Sequence, residues 1–250
     1  MRDAHRQLSA GVRFDWGLDG ANALATTNGC LVVVDVLSFT TTVSVAVDRG
    51  MAILPYPWRA DAAKAFAISH DAQLAVGRSE ATQEHPWSLS GSALLAAEFT
   101  PRLVLPSPNG STISAASDGL VVTSSLRNGS AVVTWLLDAK YGTPEKPIVV
   151  IAAGEQWRSG NSLRPAVEDL FGAGQVLSQL KAAGCSLSAE ADIAATVYES
   201  TDDITNTIRA CASSQELIED GFADDVAVAT EIDADSVVPT LINDAFVDAN

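Results

Sequence analysis

The sequence predicts an α/β fold: a largely parallel or mixed sheet flanked by helices, with an additional C-terminal portion of helices and strands. Short apolar strands alternate with Ala-rich helical stretches, which is the pattern of this class. From Pro165 onward the pattern becomes mostly helical. We therefore predict an N-terminal α/β portion, residues 1–160, and a C-terminal α/β portion, residues 161–250, packed against it. One single domain is the alternative at this length.

Apolar runs and helical spacing place the individual elements along the chain. The predicted strands are, in order, residues 31–36, 52–55, 74–76, 103–105, 120–123 and 148–152. The predicted helices are Phe39–Asp48, residues 59–69, a small helix after residue 112, residues 131–137, Val167–Ala182, residues 189–198 and residues 204–211. In the tail we predict a strand over residues 225–232 and a short apolar segment over residues 236–241.

The charge of the chain excludes two classes of partner. Lys and Arg number 15 against 31 Asp and Glu, so the formal net charge is −16. Such a surface repels nucleic acid, whose binding needs clustered cations, and it repels anionic membranes for the same reason. An anionic ligand would therefore need a local positive centre, such as an Arg or a bound metal ion.

Cellular location is read from the apolar runs and the cysteines. No run is long enough to span a membrane, and the N-terminal segment lacks the apolar core of a signal peptide. The three cysteines are widely spaced and form no metal-binding pattern; such a sparse count fits a reducing compartment. We expect a cytoplasmic protein.

The segment around Asp35 is the most informative in the chain. An apolar, β-branched run ends in Asp35, and the hydroxyls of Thr40, Thr41 and Thr42 follow at the start of a helix. The carboxyl end of a buried strand is where open α/β sheets bind ligands. There an Asp can hold a hard cation or attack an electrophile, and hydroxyls with free helix amides can hold an anion. The combination predicts phosphate chemistry.

Two further loops have the same small, hydroxylated character. Asn109-Gly110-Ser111-Thr112 and Asn128-Gly129-Ser130 each lie between a strand and a helix. Each alone is typical of ordinary helix capping, although glycine also lets backbone amides approach a ligand. Together with Asp35 they are expected to converge on one edge of a parallel sheet and form an anion pocket.

Several acids are candidates for chemistry. Glu168 and Asp169 begin a predicted helix, where they either complement the helix dipole or supply oxygen ligands to Mg²⁺. Because consecutive helical residues point about 100° apart, we expect only one of them to face a pocket. Asp225 is interpreted as a polar cap or as a third ligand. Glu155 follows a strand and could position water.

Four arginines in the predicted loops offer positive charge: Arg78, Arg127, Arg158 and Arg164. The guanidinium fork suits a tetrahedral oxyanion, although each such residue alone is more often a solvated surface charge. No Walker A loop, GxGxxG or GxSxG pattern occurs, so nothing indicates a P-loop, a dinucleotide site or a hydrolase nucleophile elbow.

Taken in order, these motifs resemble the 2-phosphosulfolactate phosphatase family of the coenzyme M pathway. Asp35-Val-Leu-Ser-Phe-Thr-Thr-Thr is similar to the signature Asp-Val-Leu-Arg-Ala-Thr-Thr-Thr, and Val167-Glu168-Asp169 with Gly172-Ala-Gly174 is similar to Leu-Glu-Asp…Cys-Ala-Gly. The loops that begin at Pro108, Ser125 and Ala152, and the C-terminal Gly221-Phe-Ala-Asp-Asp225 and Val237-Val-Pro239, match further family motifs. The resemblance spans residues 30–241.

The resemblance implies an α/β enzyme that uses Mg²⁺ to hydrolyse the phosphate ester of a small 2-hydroxy acid such as 2-phosphosulfolactate. Asp35, Glu168 and Asp169 become candidate metal ligands, with Asp35 alternatively the nucleophile and Glu155 a candidate general base. The candidate substrate-binding residues are Ser38, Thr40, Thr41, Thr42, Arg78, Asn109, Gly110, Ser111, Arg127 and Asn128. A homodimer is the base-rate expectation for such enzymes.

The chain departs from the family pattern at four points. The Arg of the first signature is Ser38 here, and the family's Gly-Glu-Arg loop reads Gly77-Arg78-Ser79-Glu80. The family's Gly-Asn-Ser-Pro segment reads Ser90-Gly91-Ser92-Ala93, and its Gly-Arg after Cys-Ala is Gly154-Glu155, which reverses a charge. Loss of a guanidinium that binds an anion weakens binding some tens- to hundreds-fold, an order-of-magnitude figure. The alternative hypothesis is therefore a catalytically decayed member that binds a small anionic metabolite.

Overall fold

The structure is a computed structural model that describes residues 3–57, 60–157, 160 and 162–250. Its strands are β1 (Val12–Trp16), β2 (Cys30–Val34), β3 (Ala52–Tyr56), β4 (Gln73–Leu74), β5 (Arg102–Pro106), β6 (Leu120–Ser124), β7 (Ile148–Ala152), β8 (Glu155–Gln156), β9 (Leu163–Arg164), β10 (Pro239–Ile242) and β11 (Ala245–Asp248).

The α-helices follow the same chain order. They are α1 (Gly17–Leu24), α2 (Phe39–Asp48), α3 (Ala60–Ser69), α4 (Gly91–Ala96), α5 (Gly110–Ser114), α6 (Gly129–Asp138), α7 (Val167–Ala182), α8 (Ala189–Glu199), α9 (Ile204–Ala210), α10 (Ala212–Glu219) and α11 (Ala223–Ala229). Short 3₁₀ turns lie at Asp3–Arg6 and Arg78–Glu80. Within the described ranges, none of the helices is both long enough and apolar enough to cross a membrane.

Nine strands form one mixed sheet in the order β1-β7-β2-β6-β10-β11-β3-β5-β4. The blocks β1-β7-β2-β6 and β3-β5-β4 are each parallel. The hairpin β10–β11 joins them through three antiparallel pairings, so the two blocks run in opposite senses. The α/β class predicted from the sequence is therefore confirmed, with the mixed alternative as the observed one.

Strand β2 shows why the sheet is covered on both faces. Cys30, Val32 and Val34 point into one apolar cluster, and Leu31 and Val33 point into the other. The first cluster is closed by α6, α7 and α8, and the second by α1, α2, α4 and α5. Because side chains alternate along a strand, a continuous apolar run marks a strand buried on both sides.

Most predicted elements are observed with small changes at their ends. The helices at Phe39–Asp48 and Val167–Ala182 and the strand Ile148–Ala152 have the predicted limits. The predicted strand over residues 225–232 is wrong, because this segment belongs to α11 (Ala223–Ala229) and the turn after it. Its alternating Val-Ala pattern resembles a strand, but two acids in the first turn favour a helix start.

Candidate functional site

Asp35 joins two loops through its carboxylate. Oδ1 accepts the backbone N–H of Phe39 at 3.3 Å, and Oδ2 accepts that of Gly110 at 2.9 Å. The hydroxyl of Thr40 accepts the backbone N–H of Asp35 and donates to its carbonyl. The loop after β2 is thus fixed, and the buried Asp35 side chain holds the start of α5 against the start of α2.

Asp169 plays a similar part from the first turn of α7. Its Oδ1 accepts the backbone N–H of Val36 at 2.7 Å, and its Oδ2 accepts that of Gly154 at 2.8 Å. Gly172, one turn further along α7, lets the helix approach β2: a Cβ there would lie 2.6 Å from Val36 Cγ2. The loops after β2 and β7 therefore meet at the N-terminus of α7.

Glu168 and Asp169 are both buried, and the expectation that only one of them faces a pocket stays a prediction. Glu168 Oε2 accepts a hydrogen bond from the Cys211 thiol at 3.2 Å. Its charge also raises the pKa values of Asp35, Asp169 and Glu155 in addition to the effect of burial. The start of α7 therefore contributes two carboxylates to one acid cluster.

Glu155 is the member of this cluster that faces a cavity. The cavity has a volume of about 280 Å³, and Trp16, Asn109, Ile113 and Leu163 also line it. Glu155 Oε2 accepts a hydrogen bond from Asn109 Nδ2 at 3.2 Å. The carboxylate is therefore held at the wall of a partly apolar space, next to Gly110 and Asp35.

Burial sets the protonation of the cluster. Burial, together with the charges of Asp35 and Glu168, raises the pKa of Glu155 to about 7. Burial is also the main cause that raises the pKa of Asp35 to about 6, against the opposing effect of the Phe39 and Gly110 N–H groups. For Asp169, burial and the charges of Asp35 and Glu168 raise the pKa well above its usual range. Burial and mutual repulsion thus favour the protonated forms of these three acids.

Two guanidinium groups approach this cluster from different elements. Arg164 on β9 lies opposite Glu155 on β8 and acts to lower its pKa against the dominant effect of burial. Arg78 donates from Nη2 to Ser38 Oγ and from Nε to Asp225 Oδ2, the latter at 2.8 Å. Arg158, the remaining candidate cation, lies outside the described residues.

Comparison with known proteins decides the family. A family model described as 2-phosphosulpholactate phosphatase matches residues 20–244, nearly the whole chain. The chain belongs to this family. Its members are phosphoric monoester hydrolases, so the enzyme class predicted from the sequence is confirmed. No curated protein matches the chain.

The family resemblance implies Mg²⁺, and the donor set is of the right type. Asp35, Glu168 and Asp169 offer carboxylate oxygens, which Mg²⁺ prefers, and a divalent cation would relieve their mutual repulsion. Among the described residues, however, no three His, Cys, Asp or Glu side chains are arranged to hold a metal ion. The residues therefore fit a Mg²⁺ held by one or two carboxylates together with water and substrate oxygens, which is its usual mode.

Hydroxyls near the loop after β2 differ in what they contact. Thr41 Oγ1 donates to the Val36 carbonyl at 2.8 Å. The hydroxyls of Thr42 and Ser111 are buried and have no hydrogen-bond partner among the described residues. Thr40 and Thr41 thus shape the loop, whereas Thr42 and Ser111 keep unused hydrogen-bonding capacity.

Asn128 and Arg127 are committed to the protein itself in this family member. Asn128 Oδ1 accepts the Ser125 N–H at 2.9 Å, and its Nδ2 donates to the Val237 carbonyl at 3.2 Å. Arg127 forms two hydrogen bonds of 2.7 Å to Asp235 and also binds the Glu231 carboxylate and the Val228 carbonyl. All three guanidinium nitrogens of Arg127 therefore have protein partners, and none of those partners belongs to the acid cluster.

Sequence reasoning missed the role of Asp225. It is neither a free cap nor a member of the acid cluster, but binds Arg78, Ser90 and Ser92. Cys211, which contacts Glu168, was assigned no role from the sequence. Asp225 ends the motif Gly221-Phe-Ala-Asp-Asp225, which resembles a family motif. The motif indicates that the position matters but does not predict which residues Asp225 contacts.

Proposed function

We propose that this protein is a Mg²⁺-dependent phosphatase that hydrolyses a small phosphorylated 2-hydroxy acid such as 2-phosphosulfolactate. The observation that carries the proposal is Glu155, a carboxylate held by Asn109 at the wall of a cavity, with burial raising its pKa to about 7. A general base is most effective when its pKa lies near the working pH. Membership of a phosphatase family supports the same reaction class.

In this proposal Glu155 accepts a proton from water while the water oxygen bonds to phosphorus. The ester P–O bond breaks, and the alcohol oxygen leaves and takes up a proton from solvent. Asn109 orients the base through its hydrogen bond to Oε2. Leu163 and Ile113 give the cavity part of its apolar lining, and an apolar surrounding strengthens electrostatic interactions.

Asp35 acts as a metal ligand in this proposal rather than as the nucleophile. Each of its oxygens accepts one backbone N–H, which fixes the orientation of the carboxylate and leaves a lone pair on each oxygen for a metal ion, and Glu155 activates water as the nucleophile instead. Glu168 or Asp169 would complete the protein ligands. Bound Mg²⁺ would supply charge neutralisation of the phosphoryl oxygens.

A turnover assay tests the proposal directly. Purified protein is assayed for phosphate release from phosphoglycolate, phospholactate and phosphosulfolactate, with Mg²⁺ and with EDTA. We expect Mg²⁺-dependent turnover of at least one ester, loss of turnover in Asp35→Asn, and wild-type rates in Asp118→Asn, which changes an exposed acid. A covalent phosphoryl adduct on Asp35 after acid quench, seen by intact mass, would instead make Asp35 the nucleophile.

The decayed-enzyme alternative predicts binding without turnover. Ser38 and the altered Gly77–Glu80 loop motivate it, since both remove or move charge relative to the family motifs. A thermal-shift screen with phosphate and Mg²⁺, run beside the assay, separates the two: joint stabilisation with turnover supports the enzyme, and stabilisation with no turnover of any ester supports decay. Coenzyme M biosynthesis, a cytoplasmic location and a homodimer stay predictions from the sequence.

A further inference from the structure

The guanidinium of Arg78 is held from two sides. Its Nε donates to Asp225 Oδ2 at 2.8 Å, and its Nη2 donates to Ser38 Oγ. Ser38 is the residue before Phe39, whose N–H binds Asp35. A side chain that starts on a different loop is thus brought to the turn that carries Asp35.

Asp225 is built to hold Arg78 in one place. Its side chain is only 2% exposed, and Oδ1 accepts the hydroxyls of Ser90 and Ser92, both at 2.6 Å, and the Ser92 N–H at 3.1 Å. A carboxylate fixed by three donors has little freedom of its own. The bond from Arg78 to Asp225 therefore differs from a surface ion pair, which typically contributes little to stability.

Part of the Arg78 guanidinium is left free for a ligand. Among the described residues its Nη1 has no hydrogen-bond partner, and the side chain is 19% exposed. Arg78 lines a second cavity of about 280 Å³ together with the serines at 88, 90 and 92 and the ring of Phe222. A guanidinium with unused N–H groups in a hydroxyl-lined cavity is suited to a carboxylate or sulfonate.

Glu155 and Arg78 are linked to different oxygens of the Asp35 carboxylate. One oxygen of Asp35 binds Gly110, next to Asn109 and hence to Glu155, and the other binds Phe39, next to Ser38 and hence to Arg78. The two cavities share no lining residue. In phosphoryl transfer the attacking and leaving oxygens are roughly in line. If Glu155 activates the water, the in-line geometry directs the leaving alcohol away from the Glu155 cavity, and Arg78 lines the other cavity.

We propose that Arg78 binds the carboxylate or sulfonate on the alcohol half of the substrate, and that Asp225 is a positioning residue that fixes its guanidinium. This inference rests on the proposed phosphatase function, and it assigns the second anionic group of that substrate to one residue of this chain. The family signature to which this segment is similar has Arg at position 38, where this chain has Ser. The Arg78 guanidinium, which comes from another loop, contacts the Ser38 side chain at this position.

Binding of two hydrolysis-resistant ligands tests the inference without needing turnover. Phosphonoacetate carries the second anionic group and ethylphosphonate lacks it, and both affinities are measured by isothermal titration with Mg²⁺ present. The wild type should prefer phosphonoacetate, and Arg78→Ala should lose about 30- to 1000-fold in affinity for it. The affinity for ethylphosphonate should change less than about threefold in the same variant.

Relocation of the guanidinium provides the rescue experiment. The double variant Arg78→Ala, Ser38→Arg should bind phosphonoacetate at least about tenfold more tightly than Arg78→Ala alone, because it again has a guanidinium near position 38. Asp225→Asn should weaken phosphonoacetate binding and raise KM for phosphoglycolate more than it lowers kcat. Arg209→Ala, which changes an exposed arginine on α9, is the matched control and should behave as the wild type.

Each outcome decides the inference. Equal losses of affinity for both ligands in Arg78→Ala would mean that Arg78 binds the phosphoryl group. No loss for either ligand would mean that Arg78 binds neither. Each of these results overturns the inference, and so does a wild type that fails to prefer phosphonoacetate. Circular dichroism establishes that each variant is folded. A preserved preference with no turnover of any ester would sink the phosphatase function but leave Arg78 as the anion-binding residue.

Discussion

The Asp35 carboxylate accepts the backbone N–H of Gly110 at 2.9 Å, although 75 residues separate them in the chain. This contact joins the loop after β2 to the start of α5. A residue larger than glycine at position 110 has no space there, because a Cβ would lie 2.2 Å from Phe39 Cδ1 and 2.9 Å from Asp35 Oδ2. The position of Asp35 therefore depends on the absence of a side chain on its partner.

Gly110→Ala should damage both stability and activity. The added methyl must displace Phe39 or the Asp35 carboxylate, and overpacking of this kind costs about 1–3 kcal/mol of unfolding free energy. Chemical denaturation and phosphate release measure the two effects. Gly160→Ala is the control, since a Cβ there meets none of the described residues within 4 Å; equal behaviour of the two variants would contradict the packing argument.

Arg127→Met should lower stability and leave substrate affinity of the folded protein intact. The change leaves Asp235 buried without its two hydrogen bonds from Arg127, and breaking a buried pair costs about 3–5 kcal/mol. Denaturation curves give the first quantity, and KM at a temperature where the variant is folded gives the second. A KM increase above about tenfold with unchanged stability would instead assign Arg127 to substrate binding.

Glu155 should give the protein a specific pH dependence. Because burial raises its pKa from 4.5 to about 7, the folded protein retains a proton that the unfolded chain has lost within this window. Its contribution to stability is therefore present below pH 4.5 and is lost as the pH rises through about 7. Over the same range kcat should rise, since a general base must be deprotonated.

The matched variants for this pH dependence are Glu155→Gln and Glu98→Gln. Melting temperatures measured from pH 4 to 8 should show Glu155→Gln gaining on the wild type as the pH rises, because glutamine does not ionise. Glu98 is exposed, so its variant should follow the wild-type curve. Parallel curves for all three proteins would show that Glu155 titrates normally.

Removal of divalent ions should lower the melting temperature when phosphate is present. A ligand that binds only the folded state stabilises it by about 2.7 kcal/mol at a hundredfold excess over its Kd. Thermal shifts with Mg²⁺ and with EDTA measure this, and Asp35→Asn should abolish the difference. Asp118→Asn should retain it, and a wild type indifferent to EDTA would argue against a metal site at Asp35.

Local sequence patterns predicted the elements with a clear period. The limits of α2 and β7 follow from an apolar run or a helical repeat that needs no distant partner. The strand predicted over residues 225–232 is wrong because Asp225-Val-Ala-Val-Ala alternates like a strand. In the structure, the packing of this segment as helix α11 outweighs that local pattern. The hairpin β10–β11 inside the sheet depends on long-range pairing that no local pattern records.

The same limit applies to the candidate site. The acids at 35, 155, 168 and 169 were found because each follows a strand or starts a helix, and the structure places them in one cluster. The bonds from Arg78 to Ser38 and Asp225 span 40 and 147 residues, so no spacing could indicate them. Arg127 looked similar to Arg78 in sequence, and only the coordinates separate their partners.

The hairpin β10–β11 lies between β6 and β3 in the middle of the sheet. During synthesis, residues 239–248 must leave the ribosome before the two parallel blocks can be joined. Until then β6 and β3 present open edges, which are prone to pair with other chains. Contacts of such long sequence separation also form slowly, so the edges of β6 and β3 stay unpaired until the hairpin takes its place between them.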